Sequence, residues 1–107
     1  MQVPEIDVEA ATELLRTGEA LFLDVRDPGS FGESHVPGAC QVDDRTLGAF
    51  LASADKARKV VVYCYHGHMS LGGAAYLLEQ GFEDVCSLAG GFEAWELAHP
   101  EGVETDG

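Results

Sequence analysis

Cys64 stands where an apolar run stops and a helical pattern starts, and a thiol at such a junction can act as a nucleophile. The run Val60-Val61-Val62-Tyr63 is short and rich in β-branched and aromatic side chains, as buried strands are. Tyr65, His66, Gly67, His68 and Met69 follow the cysteine, and a helix-like run extends from Ser70 to Gln80. In open α/β sheets this strand-to-helix junction lines the crevice used for ligands. The helix turns its free N–H groups and the positive end of its dipole toward the sulfur. That environment lowers a thiol pKa and makes the reactive thiolate more available.

The loop must manage negative charge without cations. Arg58 and Lys59 are the last bases in the chain, so residues 60–107 contain neither Lys nor Arg. An anion at Cys64 therefore falls to backbone N–H groups and the helix N-terminus. Gly67 suits such a loop because it tolerates positive φ and close backbone approach. His66 and His68 have two readings: lining the pocket mouth, where protonation near neutral pH would help hold a thiolate or anion, or standing in solvent. Ser70 reads as a helix N-cap, as a hydroxyl donor toward the sulfur, or as both. A phosphatase or arsenate reductase built on a cysteine needs an arginine six residues later to clamp the oxyanion, and Ser70 occupies that position. The spacing of Cys64, His66 and His68 invites zinc. The second ligand pair that zinc prefers is missing, since His35, Cys86 and His99 are scattered singly, so no metal site is assigned.

At 107 residues the chain is long enough for one modest core, and residues 1–107 are read as a single domain with its core over 6–99 and an acidic tail over 100–107. Nineteen acids against six bases give a formal charge of −13, which argues against nucleic acid and anionic membrane as partners. The same surplus is either a solubilising face or an adaptation to high salt. No apolar run is long enough to span a bilayer, and Met1–Glu5 lacks the parts of a signal peptide, so a cytoplasmic protein is expected. Three cysteines without paired spacing fit a reducing compartment. Cys40 and Cys86 lie inside expected strands and are assigned to the core.

Elements that would position Cys64 can be read in order. Ile6 ends a short first strand. Asp7 caps a helix Val8–Thr17 with Val8, Ala11, Leu14 and Leu15 on its apolar face, stopped by Gly18. Ala20–Val25 is a near-continuous apolar run, as a central parallel strand is. Asp24 and Arg26 point the same way at its carboxyl end, a pair suited to tying loops together, with Arg26 also a candidate to face the pocket. Pro28-Gly29 breaks the run, Ser30–Ser34 suits one helical turn, and His35-Val36-Pro37-Gly38 is a turn by composition. Ala39–Val42 reads as a third strand and Leu47–Ala52 as a helix with Leu47, Phe50 and Leu51 inward. Leu71–Gln80 places Ala74, Leu77 and Leu78 on the core side, stopped by Gly81. Asp84–Leu88 is a fifth strand, and Gly90-Gly91 opens a last helix that packs Phe92 and Trp95. The residues from His99 onward are expected to fray. Alternating strands and helices imply an α/β fold with helices on both faces of a parallel sheet.

Four segments in register resemble the single-domain rhodaneses, which are thiosulfate sulfurtransferases, and most closely their GlpE type. They are Leu23-Asp24-Val25-Arg26; Phe31 with His35-Val36-Pro37-Gly38-Ala39; Cys64-Tyr65-His66-Gly67; and Gly90-Gly91-Phe92-Glu93-Ala94-Trp95. The resemblance spans roughly Ile6 to His99. It implies a rhodanese-like α/β fold: a five-stranded, mostly parallel sheet with helices on both faces. It implies that Cys64 takes the outer sulfur of thiosulfate, releases sulfite, and passes a persulfide to cyanide or a thiol acceptor such as a thioredoxin-like protein. It further implies that the loop from Tyr65 through His66, Gly67, His68 and Met69 to Ser70 encircles the sulfur with its amides. Asp24, Arg26 and His35 would be pocket or structural residues, and no cofactor is required. The loop departs from the GlpE pattern at His68, Met69, Ser70 and Leu71, where that type continues Asn-Ser-Ser-Lys. Leu71 takes the place of a cationic substrate contact, which leaves the donor open between thiosulfate and another persulfide. A rhodanese-like binding module without catalysis is the alternative; Cys64 argues against it.

Overall fold

Period-two alternation sorts the strand side chains onto two faces and thereby builds two cores. The computed structural model describes residues 2–105. The strands are β1 (Glu5–Ile6), β2 (Ala20–Asp24), β3 (Cys40–Gln41), β4 (Lys59–Tyr63) and β5 (Val85–Leu88). They form one sheet in the order β1-β5-β4-β2-β3, with every named pairing parallel. Phe22, Val61, Tyr63, Cys86 and Leu88 face one way, against Ala11 of α1 (Val8–Thr17) and Phe92 and Trp95 of α5 (Gly91–Ala98). Leu23, Val60, Val62 and Val85 face the other way, against Leu47 and Phe50 of α3 (Leu47–Ser53) and Ala74 and Leu77 of α4 (Met69–Glu79). The sheet is thus covered on both faces, as parallel sheets must be. No helix among the described residues is long and apolar enough to cross a membrane.

The sheet order sets where chemistry can occur. β4 is central, with β5 on one side and β2 on the other. The carboxyl ends of these three strands deliver Cys64, Ser87-Leu88 and Asp24 to one edge.

Helix ends follow their capping chemistry. Asp7 Oδ1 accepts from the Ala10 amide at 2.8 Å, and Gly18 closes α1 in the left-handed conformation. α2 begins earlier than Ser30, spanning Pro28–Glu33. Asp27 caps it by accepting from the Ser30 amide (3.0 Å) and hydroxyl (2.7 Å), and Pro28 occupies the first turn, where its missing N–H costs nothing. The dipeptide that reads as a break is therefore a helix start.

Two further expectations are corrected. Cys40 is exposed rather than part of the core, because β3 is only two residues long and lies at the sheet edge. The segment after His99 does not fray over its described residues. Glu104 and His35 exchange backbone hydrogen bonds of 2.8 and 2.9 Å in an antiparallel bridge, and the Trp95 indole N–H donates to the Gly102 carbonyl at 2.9 Å. Val103 packs against the α5-side core. A polar segment without periodicity is tied down by contacts that no local pattern announces.

Candidate active site

β4 ends at Tyr63 and the next residue, Cys64, is only 4% exposed. Its sulfur is not an apolar filler. The Gly67 amide donates to Sγ at 3.2 Å and the Ser70 amide at 3.3 Å, while the Ser70 hydroxyl lies 3.4 Å away. The N-cap of α4, His68, makes no side-chain capping bond, so the sulfur takes the place of a capping oxygen at that helix end. Burial pushes the Cys64 thiol up, but the hydrogen bonds from the Ser70 hydroxyl and from the Ser70, Gly67 and Met69 amides outweigh it and hold the thiol below its ordinary range.

A second layer of backbone contacts turns these amides inward. The first amides of α5 donate back to the loop: Phe92 N–H to the Cys64 carbonyl at 2.8 Å and Glu93 N–H to the Tyr65 carbonyl at 3.0 Å. With its carbonyls fixed outward, the loop reverses at Gly67, which has φ of +93°. A Cβ at Gly67 would stand 3.0 Å from the Gly90 nitrogen and 3.1 Å from the Leu88 carbonyl oxygen. At Gly91 it would stand 2.5 Å from both the Cys64 and Tyr65 carbonyl oxygens. Gly91, the first residue of α5, is therefore required by the loop as well as by the helix.

The other loop residues form the rim. Tyr65, His66, His68 and Met69 are exposed, and His66 Nδ1 is 3.4 Å from Glu93 Oε1 on the outer surface. Of the loop residues expected to encircle the sulfur, Gly67 and Ser70 make hydrogen bonds to it and Met69 adds a weaker amide interaction. Ser70 lies inside α4 rather than at its N-cap, and its hydroxyl faces the sulfur. It also meets Ser87 of β5 at 2.7 Å, a partner whose only sequence signal is a polar residue inside the run Val-Cys-Ser-Leu.

Asp24 and Arg26 join on the α5 side of the sheet. Asp24 is fully buried and accepts from Arg26 Nη2 at 2.6 Å and Nε at 3.0 Å. The guanidinium also donates to the Ser34 carbonyl at 2.7 Å and covers the Phe92 ring at 4.4 Å. Nε and Nη2 thus tie β2 to the end of α2, and the guanidinium face packs on α5. His35 is buried, with Nδ1 2.7 Å from the Phe31 carbonyl and its ring stacked on Phe31 at 3.7 Å. Its Nε2 lies 3.7 Å from Glu104 Oε1, so Nδ1 is tied to α2 while Nε2 faces the tail. A cleft of about 610 Å³ runs beside α3 and α4; Met69 and Arg26 line it, but Cys64 does not. No three His, Cys, Asp or Glu side chains among the described residues converge as a metal-binding group.

The sequence profile of the rhodanese-like domain matches residues 7–98. The chain belongs to the rhodanese family. Over 92 residues it is 46% identical to a protein of Stutzerimonas stutzeri named thiosulfate sulfurtransferase GlpE, covering 86% of this chain and 84% of the relative. The protein of that name from Pseudoalteromonas translucida is 39% identical over 104 residues, covering 97% of this chain and 99% of the relative. Among solved structures, the rhodanese-like domain of an Anabaena protein superposes with a TM-score of 0.83 at 28% identity, covering 98% of this chain and 80% of that one. A rhodanese-like domain protein of Staphylococcus aureus has the same fold, with a TM-score of 0.83 at 24% identity over 98% of this chain and 100% of that one. The rhodanese fold expected from the motifs is therefore the fold of this chain.

Proposed function

We propose that this rhodanese is a sulfurtransferase that carries sulfane sulfur on Cys64. In the first half-reaction the Cys64 thiolate attacks the outer sulfur of thiosulfate, the S–S bond of the donor breaks, and sulfite leaves with the bonding electron pair. In the second, cyanide or a thiolate acceptor attacks the outer sulfur of the Cys64 persulfide, and the Cys64 thiolate departs. Both halves need a stabilised thiolate, first as nucleophile and then as leaving group. The observation that carries the reading is the set of groups on the buried Sγ: two amides that donate to it and the Ser70 hydroxyl at 3.4 Å, which can donate once the sulfur is a thiolate. The names of the two GlpE relatives support thiosulfate as donor.

The absence of Lys and Arg after Lys59 bears on the donor. With neither Lys nor Arg in the loop, a dianion is held chiefly by dipoles here, so a hydropersulfide with a single charge competes well with thiosulfate as donor. A basic, thioredoxin-like acceptor in the cytoplasm suits the charge of −13, since opposite charge speeds encounter. The same lack of a guanidinium tells against a phosphatase or arsenate reductase. Mass spectrometry after treatment with thiosulfate, and separately with a small hydropersulfide, tests the proposal. The native chain should gain one sulfur atom that cyanide removes, and Cys64→Ser should gain none. Equal gain by both chains, or no gain with either donor, would sink it.

A further inference from the structure

Ser87 is the polar exception in the buried strand β5, and its side chain has a direction fixed by alternation. Cys86 and Leu88 face the α5 side, so Ser87 faces α4 with Val85. It is fully buried, and its Oγ lies 2.7 Å from Ser70 Oγ, which in turn lies 3.4 Å from Cys64 Sγ. Its backbone N–H is committed to the Pro4 carbonyl at 2.9 Å. Among the described residues, the Ser87 hydroxyl makes its hydrogen bond to Ser70 alone.

We propose that Ser87 is a positioning residue for Cys64: its hydroxyl donates to Ser70 Oγ and so keeps the Ser70 proton aimed at the sulfur. The proton count supports this direction. With the thiolate present, Ser87 donates to Ser70 and Ser70 donates to Sγ, so both hydroxyl protons have acceptors. With the thiol donating to Ser70 Oγ, the Ser70 proton turns to Ser87, and the Ser87 proton is left buried without an acceptor. The relay therefore favours the thiolate, and each bond in it polarises the next. In sulfur transfer it would help Cys64 attack the donor and later leave as thiolate. The role in turnover rests on the sulfurtransferase reading; the effect on the thiol does not.

The test is the Cys64 thiol pKa, taken from the pH dependence of iodoacetamide alkylation in a Cys40→Ser background, because Cys40 is exposed. Ser87→Ala should raise that pKa by about half a unit, which is about threefold slower alkylation below both pKa values. Added to Ser70→Ala, it should cause no further shift. Ser87→Thr and Ser87→Val differ by a hydroxyl at nearly constant shape, so this pair answers the question even where Ser87→Ala is too unstable to titrate. Thr should titrate like the native chain and Val like Ala. A Val variant equal to Thr, or the same added shift without the Ser70 hydroxyl, would overturn the proposal. Persulfide formation is measured on the same samples. A pKa shift with no persulfide in any chain would reject the sulfurtransferase reading and keep the positioning role; persulfide formation with an unmoved pKa would do the reverse.

Discussion

Gly91→Ala is the substitution that most directly probes how the loop is held. Gly91 has φ of +61°, and a Cβ there would lie 2.5 Å from the carbonyl oxygens of Cys64 and Tyr65. Those carbonyls accept from the Phe92 and Glu93 amides, so relief of the clash moves the start of α5 away from the loop and breaks both bonds. Left-handed backbone at a non-glycine residue costs about 1 kcal/mol. Each lost hydrogen bond costs about 1 kcal/mol more. The sum, about 3 kcal/mol, is a large share of a small domain's stability and lowers Tm by roughly 15 °C. Gly90→Ala is the control, with φ of +77° and a Cβ that meets only the Ala94 Cβ, at 2.7 Å. Thermal unfolding and Cys64 alkylation rates should be measured together. Gly91→Ala should lose more stability than Gly90→Ala and should also slow alkylation, because amides no longer anchored from behind turn off the sulfur. If the two variants were equally stable and both reacted at the native rate, the claim that α5 positions the loop would be refuted.

Other consequences are simpler to state. Ser70→Ala should raise the Cys64 pKa by about one unit, since hydrogen bonds to charged groups contribute about 1.5 kcal/mol or more; alkylation against pH measures it. Because the folded thiol titrates below its unfolded value, its contribution to stability is full above the unfolded pKa and declines as pH falls through the folded one. Urea midpoints across that window should therefore fall with falling pH more in the native chain than in Cys64→Ser. Arg26→Met should cost about 3 kcal/mol or more by leaving the fully buried Asp24 carboxylate unpaired, read from the urea midpoint. The charge of −13 predicts that Tm rises with KCl, and a flat dependence would dismiss salt adaptation as the reason for the acidity.

What could be read from the sequence was local. The β-branched run before Cys64, the glycine after His66 and the cap at Asp7 each state their geometry within a few residues, and the strands and helices fall within about two residues of where these signals put them. Features missed were those made by distant segments. Nothing near Ser87 says that β5 lies beside α4, so its hydroxyl reads as a core exception until the sheet order brings it to Ser70. The amides of Phe92 and Glu93 are ordinary helix-start donors until Gly91 lets them reach the loop. Cys40 reads as a core residue because β propensity cannot tell an edge strand of two residues from a buried one. The tail reads as frayed because its hold on His35 and Gly38 comes through backbone atoms and one carboxylate, Glu104.

The central claim is that buried dipoles, with no Lys or Arg in the loop, favour the thiolate form of Cys64. Titrating this thiol by alkylation in Cys40→Ser, folded and again in urea, tests it most directly, Cys86 being buried and its thiol pushed up by that burial in the folded chain. Mass spectrometry of the digested chain assigns the label to Cys64 in both states. A midpoint lower in the folded chain than in urea, and unchanged by added salt, is the predicted result. A folded midpoint at or above the unfolded one would contradict the account.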